Sequence, residues 1–175
     1  MSRSSPTPTT AQLFLLGAVI PLGAVGAALV TQYHFDMQPC PWCVLQRAIF
    51  VAIAIASLIG LLLRVPAGRI AASSLMAVLA LCGVAAALWQ HFVAAASASC
   101  NLTLADKIIS RWLQLDSLLP DAFEPRASCA DAAANLLGVP YEFWSLALFA
   151  LMGFGLWQVL ITQAHGKPSQ LRNPS

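Results

Sequence analysis

Long apolar runs broken by short polar intervals dominate the chain. No Asp, Glu, Lys or Arg occurs between Arg3 and Asp36. The apolar part of that stretch approaches the ~20 residues needed to cross a bilayer core, which predicts a first helix over about 12–31. Pro21 and three glycines lie inside it, and membrane helices tolerate both residue types. A second helix is predicted over about 41–63, opening on Pro41, since proline is favoured in a first turn. Its only charge is Arg47. A third run, about 70–95, lies in a segment without formal charge from Arg69 to Asp106. A fourth, about 141–162, is uncharged after Glu142. The pattern predicts an all-α integral membrane four-helix bundle forming a single domain. The first run is too long for the apolar region of a cleaved signal peptide, typically about 7–15 residues, so it is read as a span.

The connections are unequal. Residues 32–40 make a short loop, Arg64 to Arg69 a tight turn with Pro66 and Gly68, and 97–140 one long loop. Within the long loop, Asp106 to Leu119 reads as a short amphipathic helix, with Ile108, Ile109, Trp112, Leu115 and Leu119 on one face. Such a helix either lies in the membrane interface or packs on the bundle. The Ser/Thr/Pro-rich start and the tail after His165 read as disordered.

Composition agrees. Of 175 residues, 59% are apolar and 9% charged, against roughly 25% charged in soluble domains, and mean hydropathy is +0.75. The net charge of +2 points to no nucleic-acid partner. The charges are unevenly placed. Arg3, Arg64, Arg69, Lys167 and Arg172 fall on one side of the predicted bundle. All seven acidic residues fall on or beside the other, together with Lys107, Arg111 and Arg126 in a long loop, where basic residues count for less. Basic residues near helix ends mark the cytoplasm, so both termini are expected there. Cys40, Cys43, Cys100 and Cys129 are then outside, where disulfides persist. Cys82, the fifth cysteine, falls mid-helix and reads as a small apolar packing residue.

The segment Pro39-Cys40-Pro41-Trp42-Cys43-Val44-Leu45-Gln46-Arg47 carries the chemistry. Two thiols three apart at a helix start can meet, and the positive end of the helix dipole favours a thiolate. The thiolate is the reactive form in disulfide exchange. Arg47 lies one turn deeper on the Cys43 face and is a permanent cation. Either it serves a functional site, as intramembrane charges commonly do, or it snorkels to the headgroups. Other readings of the cysteines are weaker. Structural zinc wants paired close spacings, and Cys100 and Cys129 are far apart, so no metal is expected. A structural disulfide suits Cys100–Cys129, but a loop as short as 40–43 gains little from closure. A thioredoxin-type site needs a βαβ pattern, and the helices leave no room for one.

The Cys40-x-x-Cys43 pair with Arg47, the four helices, and Cys100 and Cys129 in the second outer loop together resemble the DsbB family of bacterial disulfide-bond formation proteins. The resemblance spans nearly the whole chain and implies a thiol:quinone oxidoreductase of the bacterial inner membrane, its cysteine pairs facing the periplasm. It implies redox-active disulfides Cys40–Cys43 and Cys100–Cys129. It further implies a soluble DsbA-type thioredoxin-fold partner joined first through Cys100, and electrons leaving Cys43 for a quinone, ubiquinone or menaquinone. Arg47 would contact that quinone. His91 matches a position near the quinone in the family, or is a satisfied interfacial histidine. A vitamin K epoxide reductase-like enzyme is the nearest rival, but its quinone-facing cysteine pair lies on the last helix. A membrane scaffold with structural disulfides is the rival from outside enzymes.

Overall fold

A computed structural model describes residues 10–63, 65–95, 104–131, 135–136 and 138–165. Four long helices form the body. These are α1 (Thr10–His34), α2 (Pro41–Leu62), α3 (Pro66–Trp89) and α7 (Tyr141–His165). The shorter helices α4 (Leu104–Asp106), α5 (Leu115–Leu118) and α6 (Pro120–Phe123) lie in the long connection, with a two-residue hairpin, β1 (Asn135–Leu136) and β2 (Val139–Pro140), before α7. Three stretches, Ala11–His34, Pro41–Leu62 and Pro66–Ala94, are long and apolar enough to cross a bilayer, and α7 adds the apolar segment Tyr141–Trp157. The protein is an all-α membrane helical bundle.

Helix ends follow local chemistry. α1 stops where Asp36 turns left-handed at φ 51°, a conformation Asp tolerates better than most residues. α2 and α3 each start on a proline in the first turn. From the first turns of α3, Arg69 Nε donates to the Leu63 carbonyl at 2.8 Å, closing the connection from α2.

α1 packs on α2, α2 on α3, and α3 on α7, while α1 and α7 approach each other more loosely. The central layer holds Phe14, Phe50, Ile53, Met76 and Phe149. Phe50 and Phe149 stack at 4.0 Å between centroids. Close approach depends on small residues, as is usual between membrane helices. A side chain at Gly60 would strike the Phe14 ring, and one at Gly83 the Phe149 ring. Outward, Leu16, Leu58, Leu81, Leu151 and Phe154 are exposed. An apolar surface of this extent belongs in lipid rather than water.

The helix predicted over Asp106–Leu119 is divided. Helical backbone runs through α4 into a wider π-type turn, Lys107–Trp112, and stops at Gln114, which is left-handed at φ 50° before α5 begins. Ile109 is fully buried against Val44 and Phe123, whereas Trp112 is 81% exposed. One side of this segment therefore seats the connection on α2, and Trp112 faces away from the bundle.

Candidate functional site

The site lies at the bundle end where α2 begins. Cys40 is the N-cap of α2, in extended conformation. Its sulfur accepts the Cys43 backbone N–H at 3.3 Å, the role a serine or aspartate oxygen usually plays. The cap brings the two sulfurs to 2.9 Å as free thiols.

A third sulfur reaches the same point. The Arg126 and Ala127 backbone N–H groups both donate to the Pro39 carbonyl, at 2.9 and 3.3 Å. That tether lays the chain after α6 beside the start of α2. Cys129 then packs against Cys40 and Trp42 in one buried cluster, its thiol within hydrogen-bonding reach of Cys40. Cys40, 0% exposed, thus touches both other sulfurs. The hydrogen bond with Cys129, then the one with Cys43 and burial, push the Cys40 thiol far up. The bond from Cys40 pulls Cys129 below the ordinary thiol range, against the opposing effect of burial. Cys40 is therefore held as a thiol while Cys129 is readied as a thiolate, the nucleophilic form. Cys100 lies outside the described residues.

Cys43 points the other way, into a partly open cavity of about 240 Å³ between α1, α2 and α7. Ala24, Ala28, Phe50, Trp144 and Leu148 supply apolar walls, and Thr31, Gln46, Arg47, Gln90, Tyr141, Glu142 and Ser145 bring polar groups. Gln90 Nε2 donates to Cys43 Sγ at 3.2 Å. Gln46 Nε2 donates to Gln90 Oε1 at 2.6 Å, and Ser145 Oγ reaches Gln46 Oε1 at 2.5 Å. This chain ties α2, α3 and α7 together at the Cys43 sulfur. Gln90 also opens the π-type turn Gln90–Ala94, a wider turn of a kind frequent at functional sites.

Arg47 lines the cavity and is 5% exposed. It does not snorkel. Nη1 donates to Gln32 Oε1 at 2.7 Å and to the Ala122 carbonyl at 3.0 Å, and Nη2 to the Ala28 carbonyl at 3.3 Å. Gln32 in turn donates to the Asp121 carbonyl at 3.2 Å. The cation thus clamps α6 over α1 and α2. His91 does not line the cavity. Its Nδ1 sits 2.7 Å from Glu142 Oε1, and its ring lies against Phe92 and Phe143. Glu142, which does line the cavity, is 7% exposed.

Sequence reasoning did not single out Gln46, Gln90 or Glu142. The signal was available, because polar side chains inside or opening an apolar span are costly and usually functional. Among the described residues no group of three or more His, Cys, Asp or Glu side chains is arranged to hold a metal ion.

Fold and site together define a class, an integral membrane helical bundle with a cysteine centre at one end. The family model for Disulfide bond formation protein DsbB matches residues 10–159, and the chain belongs to that family. It is similar to Disulfide bond formation protein B of Pseudomonas syringae pv. tomato, at 34% identity over 79% of this chain and 82% of the relative. The protein of the same name from Ralstonia nicotianae is 34% identical over 85% and 92%. That from Dechloromonas aromatica is 33% identical over 83% and 88%. The protein is accordingly a disulfide-forming oxidoreductase.

Proposed function

We propose that the chain is a thiol:quinone oxidoreductase that reoxidises a DsbA-type dithiol protein and passes the electrons to a quinone, ubiquinone or menaquinone. The observation that carries this reading is the place of Cys40, in contact with Cys129 on one side and Cys43 on the other, while Cys43 faces the cavity. In the working cycle Cys100 pairs with Cys129 and Cys40 with Cys43. The reduced partner attacks Cys100, forming a mixed disulfide and releasing Cys129 as a thiolate. Cys129 attacks Cys40, an S–S bond forms between them, and the Cys43 thiolate leaves toward the cavity. A second partner thiolate then resolves the mixed disulfide, and return of the Cys100–Cys129 bond leaves Cys40 and Cys43 as a dithiol.

The cavity suits a quinone substrate, being mostly apolar with a few convergent polar groups and set where two helices pack loosely. Its electron pair comes from the Cys43 sulfur as the Cys40–Cys43 bond reforms. The Arg47 charge stabilises the Cys43 thiolate and the negative charge that develops on the quinone oxygen. His91, which the resemblance sets near the quinone, stands behind Glu142 rather than on the cavity wall. The cysteine end faces the periplasm and both termini the cytoplasm of a bacterial inner membrane.

The test is quinone consumption by the purified protein supplied with a reduced DsbA-type partner. Wild type is expected to consume quinone in step with partner oxidation, and Cys43→Ala to consume none. No turnover by wild type with either quinone would overturn the proposal.

A further inference from the structure

Resting on the quinone reading, a second requirement follows from stoichiometry. Oxidation of Cys40 and Cys43 to a disulfide releases two electrons and two protons, and a quinone takes up two of each to become a quinol. The electrons have a path through the Cys43 sulfur. The protons must cross into a largely apolar cavity at the bundle edge.

The cavity lining offers few donors. Arg47 is never deprotonated. Thr31, Gln46, Gln90 and Ser145 are neutral groups. The Tyr141 hydroxyl pairs with Thr31 Oγ1 at 3.2 Å. Cys43 is the electron donor. Glu142 is the carboxyl group on the wall, buried at 7% exposure. Behind it stands His91, whose Nδ1 lies 2.7 Å from Glu142 Oε1 and whose side chain is 32% exposed. One end of this pair faces the cavity and the other reaches the surface.

We propose that Glu142 and His91 form a proton relay from the outer surface to the quinone oxygen. Glu142 gives its proton to the reduced oxygen, so that an O–H bond forms there as the carboxyl O–H breaks. His91 Nδ1 returns a proton to Glu142, and the ring, near the end of the span Pro66–Ala94, recovers one from interfacial water at its exposed side. The second proton follows by another cycle; the two protons shed by the cysteines pass to water, so release there balances the two taken up through the relay. Glu142 is the catalytic residue of the pair and His91 the positioning and recharging one. The other charged and titratable groups on the cavity wall with Glu142 are Cys43 and Arg47 from α2 and Tyr141 from α7, so the pH response is read against those three.

The experiment uses full-length protein, pre-reduced and mixed with a short-chain quinone in a single turnover, across a pH series. Glu142→Gln keeps the size and an acceptor for His91 but holds no transferable proton. It is expected to slow quinol formation at least about tenfold, since positioned proton transfer contributes roughly 10²–10⁴-fold, and to flatten the pH profile. Thiol–disulfide exchange with the partner, measured without quinone, stays at the wild-type rate. Glu142→Asp restores part of the loss. Infrared difference spectra on quinone reduction show a carboxylic acid band in wild type that Glu142→Gln lacks. His91→Ala is slowed as well and recovers with imidazole in the medium, which carries the test if Glu142→Gln does not fold. A Glu142→Gln protein that reduces quinone within about twofold of wild type, with an unchanged pH profile, overturns the relay alone. A wild type that exchanges thiols but reduces no quinone overturns the quinone reading, and the relay with it.

Discussion

At the scale of the residue, the site works by unequal treatment of three chemically identical thiols. Cys40 is buried as a helix cap and holds its proton, Cys129 is drawn toward the thiolate by its bond to Cys40, and Cys43 is turned to the cavity. This makes a pH prediction with a definite sign. A depressed thiol pKa means that the Cys129 thiolate is present at lower pH than in an unfolded chain. The bond with Cys40 therefore stabilises the folded protein above the ordinary thiol value, and that contribution is lost as pH falls through the lowered one. In reduced protein, the pH midpoint for alkylation of Cys129 is expected below that of an ordinary thiol. Cys40→Ala removes the largest cause and is expected to move the midpoint up. An unmoved midpoint, followed by mass spectrometry of the Cys129 peptide, would mean that Cys40 does not tune Cys129.

At the scale of the element, Arg47 is a clamp as well as a charge. One guanidinium joins α1 through Ala28 and Gln32 to α6 through Ala122, with Gln32 holding the neighbouring Asp121 carbonyl. Arg47→Ala leaves those buried acceptors unpaired, at a cost on the order of 3 kcal/mol. The loop between α5 and Cys129 should then open roughly a hundredfold more often. Faster trypsin cleavage after the exposed Arg126 reports this. Arg47→Lys should not restore protection, because an ammonium lacks the planar fork that reaches acceptors on two helices. The same contacts show what was legible beforehand. Helices α1, α2, α3 and α7 stood out because charge-free apolar runs of their length have few alternatives. Cys43 and Arg47 on one face followed from helical spacing. The meeting of Cys129 with Cys40 had no such signal, because it depends on two backbone N–H groups bonding the Pro39 carbonyl, and any sequence has those atoms. The break at Gln114 was equally silent, since neither glycine nor proline marks it.

At the scale of the whole molecule, the proposed function puts the two ends of the bundle in different media. Cys40, Cys43, Cys129, Arg47, His91 and Glu142 gather at one end, and the α2–α3 turn caps the other. The proposed exchange with a soluble thiol protein needs the first end in water, and disulfide chemistry needs that water to be oxidising. The basic residues Arg3, Arg64, Lys167 and Arg172 lie outside the described residues, so the charge argument for orientation rests on their order in the chain. Labelling tests it directly. In a chain whose native cysteines are replaced by serine, Ser117→Cys places a thiol on an exposed residue of α5, and Val65→Cys places one in the α2–α3 turn, where the side chain is 62% exposed. A membrane-impermeant maleimide applied to cells with a permeabilised outer membrane should modify the cysteine at 117 and spare the one at 65 until the inner membrane is breached. The reverse pattern would put the cysteine centre in the reducing cytoplasm. Its disulfides would not persist there, and the electron path from partner to quinone would have no oxidised starting state.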